Sequence, residues 1–244
     1  MTELCCPIVE LRQYTLHPGK RDILIDLFDR EFIEPQEAVG IKVIGQFRDL
    51  DRPDRFVWLR GFRDMPSRAK ALTDFYSGPV WKAHREAANA TMIDSDNVLL
   101  LRPAVPTSGF SLENMKRRPM GSDEAPTSLV VTTIYYFEGP VAHDFINFFE
   151  HTLKPVATSL GATVSANFVT ENSENTFPAL PVRAGENIFV WFSIFQSSAA
   201  YGNYVAALSQ SERWHGEVSD GLGRNLNKAT EVLKLTPTAR SQLR

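Results

Sequence analysis

The chain of 244 residues has only two cysteines, adjacent at Cys5 and Cys6. A vicinal pair suits neither a disulfide framework nor a metal site, so it is expected to be structurally idle. No apolar run approaches the roughly 18 residues of a membrane span, and the first residues carry neither a charged n-region nor an apolar h-region. The expectation is a soluble, cytoplasmic protein with no membrane partner. Charge of one sign is also scarce: 26 Lys+Arg face 29 Asp+Glu for a formal net charge of -3, mixed along the chain. Without a sustained basic patch, nucleic acid is not an expected partner. A glycine-rich phosphate loop, a nucleophile elbow and a Cys/His pair for covalent catalysis are missing. His17, His143, His151 and His215 show no metal-ligand spacing. Neither a metal nor a cofactor is expected.

The most informative stretch runs from Phe56 to Asn89. It begins as a period-2 strand, Phe56 to Phe62, in which Val57 and Leu59 alternate with Trp58 and Arg60. One face is aliphatic and the other aromatic with one guanidinium. A helix is predicted from Ser67 to about Tyr76, broken at Ser77, Gly78 and Pro79 and restarted with Pro79 in the first turn. The restarted piece carries Trp81, His84, Arg85 and Asn89.

Taken in order, Ile8 to Leu16 alternates as a strand, and a helix extends to about Ala38 with Ile23, Leu24, Leu27, Phe28 and Phe32 at helical spacing on one face, expected to be buried. Strands follow at Ile41 to Phe47 and Phe56 to Phe62, then the broken helix, then a strand at Val98 to Arg102. This order, βαββαβ, is the split ferredoxin-like unit, an α+β arrangement. The second half repeats it at fixed offsets. Tyr14 and Tyr135, Phe28 and Phe149, Gly40 and Gly161, and Phe47 and Phe168 are each 121 positions apart. Val57 and Val190, Trp58 and Trp191, Phe62 and Phe195, and Trp81 and Trp214 are each 133 apart. The extra 12 residues fall in the hairpin around Asn172 to Asn187, and loops are where insertions are tolerated. Two domains are expected, 1–104 and 128–244, with 105–127 as a linker whose Lys116, Arg117 and Arg118 are solvated. Each four-stranded sheet would carry helices on one face and leave the other bare, so two sheets should pack together around an enclosed space, within the chain or between chains of a homo-oligomer.

The segments ELRQYTL, GQF, DRFVWLRGF, FYSGPVWKAHREAAN and NVLLLRP resemble the NIPSNAP family, closely over about residues 7 to 103. VWFSIF and RWHGEV look like part of a divergent second copy. The resemblance implies a dimeric α/β-barrel fold, whose superfamily includes cofactor-free monooxygenases, isomerases and haem proteins; it implies no single reaction.

Alternation places Glu10, Arg12 and Tyr14 on one face of the first strand. If Val9, Leu11, Val57 and Leu59 face the helices, then Glu10, Arg12, Tyr14, Trp58 and Arg60 face the space between the sheets, with Gln46 beside them. Two arginines and a carboxylate on an enclosed surface need mutual pairing, water or a ligand. Either they form a structural ion pair, or they bind an anionic or carbonyl-bearing small molecule. The candidate catalytic residues are therefore Glu10, Arg12, Tyr14, Arg60 and His84, the last as a general base. The candidate ligand contacts are Gln46, Trp58, Phe75, Trp81, Arg85 and Asn89, although Phe75 and Trp81 also suit a plain core. In the second half Glu10, Arg12, Arg60 and His84 become Val131, Thr133, Ser193 and Glu217, so a specific site is expected on the first half. Two functional readings follow. One is a small-molecule-binding protein, a cofactor-independent enzyme on a carbonyl, acid or aromatic substrate; the other is a non-catalytic interaction module with a structural barrel core.

Overall fold

In the computed structural model, which describes residues 5–226 and 228–244, nine antiparallel strands alternate with helices. The first half holds β1 (Ile8–Leu16), α1 (Arg21–Leu27), a π-helical turn (Phe28–Phe32), α2 (Ile33–Ala38), β2 (Lys42–Asp49), β3 (Arg55–Phe62), α3 (Met65–Ser77), α4 (Pro79–Asn89), a short β4 (Met92–Asp94) and β5 (Val98–Pro103). The second holds β6 (Leu129–Phe137), α5 (His143–Phe148), a π-helical turn (Phe149–Leu153), α6 (Lys154–Ser159), β7 (Thr163–Thr170), β8 (Asn187–Phe195), α7 (Ser198–Gln210), a third π-helical turn (Trp214–Val218), α8 (Ser219–Asn225) and β9 (Glu231–Pro237). Local sequence sets several of these boundaries. The Asp64 carboxylate accepts from the Ser67 backbone N–H at 2.6 Å and the Ser197 hydroxyl from that of Ala200 at 3.1 Å, so α3 and α7 both start on a side-chain cap. Gly40 ends α2 at φ +93°, a conformation that glycine adopts without strain.

Eight strands close into one barrel, in the order β3, β2, β9, β6, β8, β7, β5 and β1, with β1 pairing back onto β3 and β4 appended to β1. Two short seams join the halves: Phe47, Arg48 and Asp49 of β2 pair with Pro237, Thr236 and Leu235 of β9, and Leu101, Arg102 and Pro103 of β5 pair with Thr170, Val169 and Phe168 of β7. The bare sheet faces are thus covered within one chain.

The face assignment is the reverse of the expected one. Val9, Leu11, Val57, Leu59, Val190 and Phe192 lie inside the barrel in a single cluster drawn from both halves. Trp58 and Trp191 are buried, but under the helices of their own halves. The reason is steric. An eight-stranded barrel is just wide enough for its own side chains to fill, and here Val9, Leu11, Val57 and Leu59 fill it together with the rings of Phe47, Phe110, Phe168 and Phe192, while Trp58 and Trp191 bridge the gap to the helices.

Two further expectations change. Residues 105–127 are more than a linker: Phe110 is 1% exposed and its ring lies 5.0 Å from that of Phe168 and 4.9 Å from that of Phe192. Arg117 is not solvated either, since it donates to the backbone carbonyls of Val43 and Arg240 and to Glu37. The Cys5–Cys6 pair is a vicinal disulfide, with Cys6 buried in the barrel cluster, where an idle pair had been expected. Among the described residues no helix is long and apolar enough to cross a membrane.

Candidate functional site

Glu10 sits on the helix-facing side of β1 with no exposure, and three guanidinium groups converge on it. Arg12 donates from Nη1 to Oε2 at 2.6 Å, Arg60 from Nε to the same oxygen at 2.7 Å, and Arg68 from Nε to Oε1 at 2.6 Å. The first two arginines come from strands paired in register, Glu10 opposite Arg60 and Arg12 opposite Trp58. The third comes from α3, whose buried face is Arg68, Ala71, Leu72 and Phe75. All three are at most 1% exposed.

One carboxylate therefore meets three cations in a dry layer. Burial alone would raise the Glu10 carboxyl's pKa, but the fields of Arg60, Arg12 and Arg68 outweigh that and hold it well below the usual carboxylate range. The cationic excess is spread over neutral groups. Arg12 Nε donates to the Tyr14 hydroxyl at 2.9 Å, Arg60 Nη1 to the Tyr76 hydroxyl at 3.3 Å, and Arg68 Nη1 to Asn175 Oδ1 at 3.0 Å and Thr176 Oγ1 at 3.2 Å. The Arg60 guanidinium carbon lies 5.1 Å from the Trp58 ring centroid, close enough for a cation–π contact. Even so, Nη2 of Arg60, Nη2 of Arg68 and Nε1 of Trp58 are buried with no hydrogen-bond partner. Unpaired buried donors are costly and mark a place where an acceptor would bind.

Beside the cluster lies a small cavity of about 30 Å³, lined by Tyr14, Phe32, Gln36, Trp58, Phe75, Tyr76 and Trp81 among others. It is large enough for ordered water and far below the roughly 300 Å³ of a small-molecule pocket. Its wall is mostly aromatic.

Of the candidates from the sequence, Glu10, Arg12, Tyr14, Arg60, Trp58, Phe75 and Trp81 come together here, although under the helices and not between the sheets. The others do not join them. His84 is half-buried on α4, its Nε2 3.5 Å from Glu31 Oε2, so it is not placed as a base for this cluster. Arg85 and Asn89 are exposed, rotated away from the face of α4 that buries Ala88. Gln46 is fully buried, but its amide donates to Asp29 Oδ1 at 3.4 Å. Sequence reasoning missed Arg68, Tyr76, Asn175 and Thr176. Arg68 was within reach, because it shares the helical spacing of Ala71, Leu72 and Phe75.

Asp29 carries a separate titration. Burial raises its carboxyl to about 6, against the opposing fields of Arg240, Arg117 and Arg48. With a folded pKa above the ordinary carboxylate value of about 3.9, the folded state holds this proton more tightly, so the group lowers stability as pH rises through about 4 to 6. Asp29→Asn should stabilise the protein by about 2 kcal/mol at pH 7 and leave it unchanged near pH 4, as read by denaturant melts at the two values. Equal effects at both would show that the carboxyl titrates normally.

The fold and the buried site define an antiparallel α/β barrel with a polar cluster beneath its helices. Residues 9–107 match the NIPSNAP family model. No curated protein matches the sequence. Among solved structures, the whole barrel is similar to a candidate monooxygenase from Fusobacterium nucleatum, with 9% identity over 98% of this chain and 94% of that chain and a TM-score of 0.57. It is also similar to a candidate monooxygenase from Lactobacillus acidophilus, with 14% identity over 96% and 94% and a TM-score of 0.53. An anthrone oxidase-like protein gives 13% identity over 95% and 91% and a TM-score of 0.56. At such identities the likeness is one of fold.

Proposed function

We propose that the first half binds a small anionic or carbonyl-bearing molecule at the Glu10, Arg12, Arg60 and Arg68 cluster, and that the protein is an enzyme acting on a carbonyl, acid or aromatic substrate. The single observation that carries this reading is the imbalance of the cluster: one carboxylate for three buried guanidinium groups, two of which retain an unpartnered Nη2. A ligand carboxylate or carbonyl would accept from those donors, and rings such as Trp58, Tyr76 and Trp81 would flank an aromatic body. The neighbours described as candidate monooxygenases and as anthrone oxidase-like are in keeping with an enzyme. We also read the two sets of four strands as tandem ferredoxin-like units, of which only the first kept these charges.

The test is a thermal-shift screen of aromatic and aliphatic carboxylates, since a ligand at 100 times its dissociation constant stabilises by about 2.7 kcal/mol. For a compound that binds, Arg60→Met should weaken affinity roughly 10- to 150-fold, the loss of one charge-assisted hydrogen bond. Ser193→Ala, at the matching position of the second half, should leave affinity unchanged. Equal weakening from both would refute a site on the first half. A second reading, a non-catalytic interaction module, is favoured by the small size of the cavity, about 30 Å³. On that reading Arg60→Met lowers the melting temperature and no carboxylate raises it.

A further inference from the structure

The cluster belongs to the first half, but part of its covering comes from the second. The connection from β7 to β8 is the one hairpin in which the second half is longer than the first, and its tip lies on α3. Asn175 Oδ1 and Thr176 Oγ1 accept from Arg68 Nη1, and Thr176 Oγ1 donates to the Met65 carbonyl at 3.2 Å. Phe177 stacks on Tyr76 with ring centroids 5.9 Å apart and planes 25° from parallel, and the Tyr76 hydroxyl in turn holds Arg60. One short loop thus touches, directly or through one ring, both arginines that keep unpartnered donors.

We infer that this hairpin is a movable cap on the cluster, and that Asn175 and Thr176 are specificity-determining residues whose oxygens hold Arg68 until an anion replaces them; this rests on the ligand-binding reading above. Four observations carry it. The oxygens on Arg68 Nη1 are a neutral amide and a neutral hydroxyl, which are weaker acceptors for a guanidinium than a carboxylate is. Arg68 is fully buried while Thr176 is exposed, so the covering at that point is thin. With the cap down, the space beside the cluster is about 30 Å³. A groove of about 330 Å³ lies at the base of the hairpin, lined by Leu99, Leu100, Asn172, Asn175 and Arg183 among others, and leaves room for the loop to shift. The ligand class that follows is a carboxylate on a planar aromatic body: its oxygens take the place of Asn175 Oδ1 and Thr176 Oγ1, and its ring takes the place of Phe177 against Tyr76.

The test uses the full chain and benzoate, the simplest aromatic carboxylate, with affinity read from tryptophan fluorescence. Asn175→Ala combined with Thr176→Val removes the internal competitors and should tighten benzoate binding about tenfold. Asn175→Asp keeps one of the two bonds by which this side chain holds the loop, since its Oδ1 can still accept from the Phe177 backbone N–H as Asn175 does at 3.1 Å, and loses the other, the Nδ2 donation to the Leu180 carbonyl at 2.9 Å. It also places a carboxylate on Arg68, so it should weaken benzoate binding about tenfold. Opposite shifts support the cap. Any other pattern, in a protein whose benzoate binding is still lost in Arg60→Met, overturns the cap and leaves the site standing. Failure of the unmodified protein to bind benzoate overturns the aromatic-carboxylate site and the cap together.

Discussion

Glu10→Gln should destabilise the protein by about 3–5 kcal/mol at neutral pH, the cost of leaving buried charges without their partner. The substitution is nearly isosteric, so packing changes little and the loss reports charge. Glu10 is the carboxylate that Arg12, Arg60 and Arg68 share, and without it three guanidinium groups face one another in a dry layer. The pH dependence has a definite sign. Because the folded carboxyl is held below its unfolded value, its contribution is present above about pH 4 and is lost as pH falls through the carboxylate range. The difference between the parent protein and Glu10→Gln should therefore be largest at pH 7 and shrink under acid. Denaturant melts that show a loss below about 1 kcal/mol would mean that the charges are hydrated, and the argument for a ligand would go with them.

Phe110→Ala should cost about 3–5 kcal/mol, as expected for a buried ring whose cavity cannot collapse. The ring comes from the segment between the halves and packs on Phe168 and Phe192 of the barrel core. Its backbone carbonyl accepts from the Cys5 N–H at 2.8 Å. The surrounding strands are fixed by their ladders, so little relaxation is available to fill the space. If the loss is under 1 kcal/mol, residues 105–127 are a peripheral connection after all.

Much of the fold was legible because period-2 and helical spacing survive in single residues. Strands such as Phe56 to Phe62, the break at Gly78 and Pro79, and the longer hairpin before Asn187 all follow from the sequence. The inward side of each strand was not legible. Alternation distinguishes two faces but is symmetric under their exchange, and a Val/Leu face suits a barrel interior as well as it suits a helix. The site was legible in part for the same reason. Glu10, Arg12 and Arg60 share a face whichever way it points, so they were grouped correctly and placed on the wrong side. Arg68 shares the helical spacing of Ala71, Leu72 and Phe75, but spacing alone does not show that a charged side chain on that face is buried against a carboxylate of another strand. Asn175 and Thr176 could not be found from local pattern, since their contact with Arg68 spans more than a hundred residues. Arg85 and Asn89 failed for a simpler reason: on α4 a small rotation separates the buried stripe from the solvent side.

The two seams that close the barrel also set an order of events at the ribosome. β1, β2, β3 and β5 pair among themselves within residues 8–103, so this part of the sheet can form while the rest is still being made. Its free edges on β2 and β5 find partners only when β9 and β7 emerge. At about 5–20 residues per second, that interval is on the order of ten seconds. Throughout it the nascent chain presents Val9, Leu11, Val57 and Leu59 on an uncovered face between two unpaired strand edges, the combination most prone to pairing with a neighbouring copy. The architecture that closes the eight-stranded barrel in the finished molecule therefore concentrates its aggregation risk in synthesis, before the last strand is made.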